Sequence, residues 1–550
     1  MGYNRKMQSA SARRWMALWL AGIVLSVLVC GLGASQAEAR VALQVTQPPT
    51  ETAVSLVTAT RLPTSTPAAL LAVNWNDVRA YKAAMKPGHE GDVDRAINDN
   101  RYLIVARLSI ETDAIIRGAE RVRYTNRRPE PLTEVVFRLY PNTPVLAGRM
   151  DVTHVTLNNR AVTPSFAELD SVMSVPLDKP LVPGSAVEMT LDFSVVMTRE
   201  LDASYGRFGY VHNVVSATAW YPTLSVYDVG QGWWKAMPSP KGDPAYTEAG
   251  LYDVRLTAPG DMTVAMSGIE VETIRNADGT ITHHDVTGPM RDHAFQASSR
   301  YVIAPTVVEG TRINIVHYKD PEDPAIDGSD DAARYAAQAM KAYNAIYGLY
   351  PYREFDVVEN PTPTGVEYPG LVQIAERNWR KGNGSLEVTI AHETAHQWFY
   401  ALVGNDQVNH PWLDEALATY SEFVYMRTYY PAAQAEDYIS ARQRFYTQAA
   451  GSGLADLAVD QPVDSYLDGS YGVIVYVKGA LLYVELEREL GQQTVYRALH
   501  VYFSRYAYGI VTSADVLHTF EDVSGKHLED VFHKWLGSFP DDVPFDAIIV

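Results

Sequence analysis

Between about residues 101 and 310 the apolar positions recur at every second residue. In "VEMTLDFSV", Val187, Met189, Leu191, Phe193 and Val195 fall on one face and polar or small residues on the other. That is the period of a half-buried strand. "LYDVRLTAPG" alternates from Leu251 to Leu256 and turns at Pro259-Gly260, and "RYLIVARLSI", "TEVVFRLY" and "TRINIVHY" are further strand candidates. The turn residues between them predict a large antiparallel β-sandwich. No solenoid-type repeat is visible. After about residue 328 the period lengthens. "SDDAARYAAQAMKAYNAIYG" predicts a helix capped by Ser329, with acids in its first turn and Gly348 beyond its end. Helical patterns continue to about residue 537. Helices gathered after a strand-rich half predict separate domains rather than one wound α/β sheet.

The first hundred residues carry a different pattern. Arg5, Lys6, Arg13 and Arg14 precede the apolar run "WMALWLAGIVLSVLVCGLG", Trp15 to Gly33, and small residues follow at Ala37 and Ala39. This predicts a signal peptide over 1–39 or, because the run is about long enough to span a bilayer, an uncleaved membrane anchor. The basic flank stays inside, so the rest is expected outside the cytoplasm, secreted or anchored. Residues 40–100 open on a stretch punctuated by Pro and Thr, read as a linker and lead-in. The single cysteine, Cys30, lies inside the apolar run, and Val29 before it is unlike the small residue of a lipoprotein signal. Beyond residue 39 there is no thiol, which excludes disulfides, thiolate ligands and a cysteine nucleophile there. A formal net charge of −19 argues against a nucleic-acid partner. The 34 Tyr and 10 Trp are enough for large cores or an aromatic-lined cleft.

One helical stretch breaks its own apolar pattern. "TIAHETAHQWFYALVG" sets His392, Glu393 and His396 inside what reads as a helix from Leu386 to Val403. Residues four apart stack on one face of a helix, so His392 and His396 can hold one ion, with Glu393 beside it to serve water as a base. A catalytic zinc normally takes three protein ligands. "NHPWLDEALATYSEF" starts a second helix with Pro411 in its first turn, and Glu415 sits there with eighteen residues between it and His396. Chance alone produces a lone HExxH now and then; a glutamate at this distance on a second helix makes coincidence far rarer.

These residues resemble the aminopeptidase N family of zinc metallopeptidases, gluzincins that include leukotriene hydrolase. The family's pattern is HExxH, eighteen residues, then Glu in a "WLNEGFA"-like context; here stand "HETAH" and "WLDEALATY". The resemblance implies one zinc per chain on His392, His396 and Glu415, with Glu393 as general base. "TGVEYPG" takes the place of the family's "GxMEN"-like strand, putting Glu367 on the substrate amine and the backbone of Gly365 and Val366 beside an extended peptide. "YGVIVYVKG" matches "YxxxxYxKG" and gives Tyr476 the oxyanion role, with Tyr471 just before it on the substrate side. Upstream, "YGLYPYREFDVVE" looks like the family's entry into the catalytic domain. The resemblance covers roughly residues 100 to 550.

Departures accompany the matches. "VEY" replaces "MEN". The family's β-domain glutamine has no counterpart in "YVHNVVSATAWYP", so one of two amine-recognising side chains is missing. The chain also ends soon after "VFHKWLGSFP", without the long C-terminal helical domain of many members.

Each residue has a plainer reading. A tyrosine among 34 is usually packing, and a lone Glu367 a surface carboxylate. Glu422, seven residues after Glu415, braces a ligand histidine or is a solvated charge. Lys478 orients the Tyr476 loop or is solvated. His283, His284, His293, His410, His518 and His533 lack ligand spacing and are read as structural. The combined expectation is a multidomain α+β chain: a β-rich antiparallel sandwich over 101–310, then a mainly helical, thermolysin-like peptidase domain over 311–550. Its function is expected to be extracytoplasmic zinc aminopeptidase activity on peptides. The alternatives are an endopeptidase of the same fold, or an inactive envelope binding or scaffold protein.

Overall fold

The computed structural model describes residues 73–200, 205–321, 324–452, 457–467 and 469–537. The chain from Trp75 onward forms one compact unit, described here by itself. Its lead-in is packed: Trp75, Val78, Tyr81 and Met85 are buried, and Arg101 donates to the carbonyl of Trp75.

The alternating runs form strands where the pattern placed them. Ala186–Val196 alternates buried and half-buried positions along its whole length. It belongs to an eight-stranded sheet ordered Ile269–Arg275, Thr280–Val286, Gly250–Pro259, Asn100–Ile110, Ala114–Thr125, Ala186–Val196, Arg149–Leu157, Arg160–Ala161. Pairing is antiparallel except between Asn100–Ile110 and Gly250–Pro259, which run parallel. A long connection separates those two strands in sequence, which is what parallel pairing requires. Among the described residues two smaller four-stranded sheets accompany the large one. Phe193 and Tyr102 from the large sheet meet Trp220 and Tyr221 at ring-centroid distances of 6.2 and 5.7 Å, forming an aromatic core between layers. No closed barrel forms among the described residues.

A five-stranded sheet follows, in the order Tyr301–Val308, Thr311–Tyr318, Glu354–Asn360, Leu371–Ala375, Val366–Tyr368. The first two strands are a hairpin, so the expected division at 310/311 falls in its turn and both strands belong to one sheet. Val366–Tyr368 is the short outer strand, antiparallel to Leu371–Ala375. Its Val366 and Tyr368 share a buried cluster with Val214, Ala265 and Ala294, which joins the β-rich part to the helical part beneath this edge.

Helices dominate from Ser329 onward. Ser329–Ile346 begins at Gly328, not at a capping Ser329; the hydroxyl and amide of Ser329 instead donate to Asp327 Oδ1, at 2.8 and 3.3 Å. The helix expected over 386–403 spans Gly384–Ala395, with the Asn383 side chain accepting from Ser385 N–H at its start. It stops early because His396 takes the C-cap position and Tyr400 has a φ of 114°, which no helix accommodates. Trp412–Tyr429 follows, with Pro411 ahead of it. Among the described residues no helix is long and apolar enough to cross a membrane; the run from Trp15 to Gly33 lies outside them.

Candidate metal centre

His392 and His396 come from the end of helix Gly384–Ala395, and Glu415 from the first turn of Trp412–Tyr429. Each histidine is oriented through its other nitrogen. His392 Nδ1 lies 3.0 Å from Glu422 Oε1, and His396 Nδ1 lies 3.1 Å from the carbonyl of Phe399. With Nδ1–H donated in each ring, the two Nε2 atoms carry the lone pairs and face a common point. They are 3.2 Å apart, and Glu415 Oε2 is 3.2 Å from one and 3.4 Å from the other.

Those distances test what fits. Tetrahedral bonds of about 2.0–2.1 Å place neighbouring ligand atoms about 3.3–3.4 Å apart. A nearly equilateral triangle of two imidazole nitrogens and one carboxylate oxygen therefore suits a tetrahedral divalent ion with one further position open. No other predicted histidine joins a metal-competent cluster among the described residues. His293 pairs with Asp285 at 2.9 Å inside the β-rich part, and His410 with Asp460 at 2.7 Å.

Glu422 is buried, and its other oxygen is held by Tyr438 and by Arg442 at 2.8 Å. It is thus a bracing carboxylate in geometry, and the solvated alternative does not hold. Burial would lower the His392 pKa, but Glu415 and Glu422 outweigh it and hold the imidazole up at about 10. Burial pushes Glu393 up to about 7, against the pull of His392 and His396.

Glu393 lies against Gly365, so closely that a Cβ at Gly365 would collide with its carboxylate. The glycine is required by that approach. Glu367 is buried on the outer strand, and Gln407 Nε2 reaches its Oε1 at 3.4 Å. One oxygen of Glu367 and one of Glu393 lie with a His396 nitrogen inside a 4.8 Å cluster.

Tyr476 stands on a π-helical run, Gly472–Lys478, not on a loop. Such wide turns recur at functional sites. Its ring stacks on His392 at 5.8 Å and 11°, and its hydroxyl donates to Glu415 Oε1. Lys478 is buried and donates to the carbonyl of Leu457 at 2.6 Å, anchoring the run. Tyr471 packs edge-on against Tyr476 at 5.9 Å.

One residue at the site was not legible in the sequence. Asp243, in the unpatterned stretch "PSPKGDPAYTE", pairs with Arg207 at 2.5 Å and joins a 4.8 Å cluster of carboxylate oxygens with Glu367 and Glu415. No periodicity or motif marks it; only the fold brings it here.

Two histidines on one helix and a glutamate on the next form a gluzincin-type arrangement that could hold a metal ion. The comparisons agree. Residues 334–535 match the Peptidase family M1 domain, and this part of the chain is similar to aminopeptidases of that family. Aminopeptidase M1-C of Oryza sativa subsp. japonica is 27% identical over 212 residues, covering 36% of this chain and 21% of the rice protein. Aminopeptidase N of Streptomyces lividans is 27% identical over 203 residues, 34% of this chain and 23% of its own. The chain thus spans less than a quarter of the length of either relative. An M1 zinc metallopeptidase from Deinococcus radiodurans shares the fold with a TM-score of 0.59 at 19% identity, over 80% of this chain and 94% of that one.

Proposed function

We propose that this protein is an extracytoplasmic zinc aminopeptidase. The observation that carries the activity is the His392–His396–Glu415 triangle, sized for a tetrahedral ion, with Glu393 and Glu367 both facing it. Its relatives named as aminopeptidases support the substrate class, as does the Deinococcus radiodurans structure solved with a Tyr-Ser-Ala substrate. One zinc per chain is the ion these ligands suit.

When bound, zinc supplies Lewis acidity toward the scissile carbonyl and acidifies water. The chain supplies the rest. Glu393, buried and raised to about 7, takes a proton from the attacking water and hands it to the departing nitrogen. The Tyr476 hydroxyl, held by Glu415, transfers its hydrogen bond to the carbonyl oxygen as negative charge builds there. The edge strand Val366–Tyr368 aligns an extended peptide by strand addition, and Glu367 receives its cationic terminus.

Glu393→Gln is expected to keep one zinc per chain by metal analysis while losing turnover of a peptide panel. Near-normal turnover in that variant would remove the mechanism. Internal cleavage of free and N-acetylated peptides alike would make the protein an endopeptidase. A zinc-loaded wild type that turns over nothing in the panel would make it a binding protein.

A further inference from the structure

A segment of the β-rich part reaches the metal site. Residues 236–247 reach the helical part and are fixed there at successive points. Ser239 Oγ donates to Asp464 Oδ1 at 2.6 Å, and Lys241 Nζ donates to the carbonyl of Tyr466 at 2.8 Å. Gly242 then packs so tightly that a Cβ would lie 2.9 Å from both the Tyr471 hydroxyl and Val463 Cγ1; its φ is +67°. The next residue is Asp243, whose side chain is 12% exposed. Arg207 holds this point twice, pairing with Asp243 at 2.5 Å and donating to the carbonyl of Gly242 at 3.1 Å.

The strap delivers Asp243 to Glu367. One oxygen of each carboxyl lies with one of Glu415 inside a 4.8 Å cluster. Two acids this close and this enclosed repel unless a cationic donor comes between them. Arg207 pairs with Asp243, while Glu367 accepts from the neutral amide of Gln407 at 3.4 Å, so the two acids can take a further cationic donor.

Resting on the metallopeptidase reading above, we propose that Asp243, delivered by this strap, is the second amine-binding carboxylate of the site. Peptides are then recognised by a free α-ammonium held between Asp243 and Glu367, and are shortened one residue at a time. The role lies outside every motif of the chain: it is filled by a carboxylate on the strap, not by a side chain in "YVHNVVSATAWYP".

The test uses binding, which needs no turnover. The zinc-loaded full-length protein is titrated calorimetrically with phenylalaninol, which has no scissile amide, and with 3-phenylpropan-1-ol, which lacks only the amine. The wild type is expected to prefer the amine by about tenfold or more, the scale of one charged hydrogen bond. Asp243→Asn retains its zinc, and the preference collapses toward equality. Asp243→Glu keeps the charge and serves as the folding control, with a preference still near tenfold. An Asn variant with the wild-type preference overturns the proposal. So does a Glu variant that loses the preference as fully as Asn, or loss of amine binding only together with zinc. If the amine preference behaves as expected while no peptide is hydrolysed, the peptidase reading fails and this one stands. If acetylated peptides are cut as readily as free ones, this one fails and the peptidase reading stands.

Discussion

Without its metal, His392 is an acid rather than a ligand. Burial alone would lower its pKa, yet Glu415 and Glu422 hold it at about 10, and Glu367 and Glu415 hold His396 well above its ordinary value. The two Nε2 atoms, 3.2 Å apart, therefore share at least one proton at neutral pH in the metal-free protein. Ligand imidazoles must be neutral, so zinc uptake near pH 7 should release at least one proton, and zinc affinity should fall as pH falls. Calorimetry of the chelated protein in buffers of different ionisation enthalpy reads that number; uptake without proton release contradicts the charge assignment. Tyr476 makes a second prediction at this scale. Its phenol bonds Glu415; under the proposed mechanism it passes to the substrate oxygen, so Tyr476→Phe should lower kcat by about 10²–10³ with KM little changed. A change in KM alone would make Tyr476 a binding residue. The metal cluster could be read from the sequence because His392 and His396 are one helical turn apart and Glu415 stands at a fixed spacing on the next helix. Asp243 could not, because its position depends on a strap with no period, pinned by Asp464 and Tyr466 from far along the chain.

Among the elements, strands were the more legible. Ala186–Val196 announces itself by alternation, since one face is buried and the other is not. Helix Gly384–Ala395 did not announce its end. The apolar residues past His396 continue because they are buried in the turn, not because the helix does. The π-helical run under Tyr476 has no compositional sign either. One strand carries a burden the pattern conceals. Glu120, central on Ala114–Thr125 between Ile104 and Leu191, is fully buried, and neither carboxyl oxygen has a hydrogen-bond partner among the described residues. Burial holds its pKa well above the ordinary 4.5, so the folded chain keeps a proton that the unfolded chain releases above that value. The stability this group contributes is thus fully present below about pH 4.5 and declines as pH rises toward the raised folded value. Glu120→Leu should stabilise the protein at pH 7 by about 1–3 kcal/mol and flatten its stability between pH 5 and 8. Denaturant melts across that range decide it; an unchanged slope would mean that Glu120 is not the group responsible.

For the whole molecule, the N-terminal pattern of Arg5 to Gly33 bears on where the cleft works. If residues from 41 onward lie outside the cytoplasm, protease added to intact cells should digest the chain without lysis; protection until lysis contradicts that placement. The two-part architecture was legible from the change of period near residue 328, but the union of the parts was not. That union runs through Arg291, fully buried in the β-rich part, whose guanidinium donates to the carbonyls of Thr247 at 3.1 Å, Tyr400 at 2.9 Å, Leu402 at 3.4 Å, and Gly509. Three of those acceptors follow it in the chain, and the last comes after both metal-binding helices and Tyr476. A growing polypeptide therefore presents the key long before the lock. The joint cannot be completed until Gly509 has been made, so the two parts of the molecule lock together only near the end of synthesis.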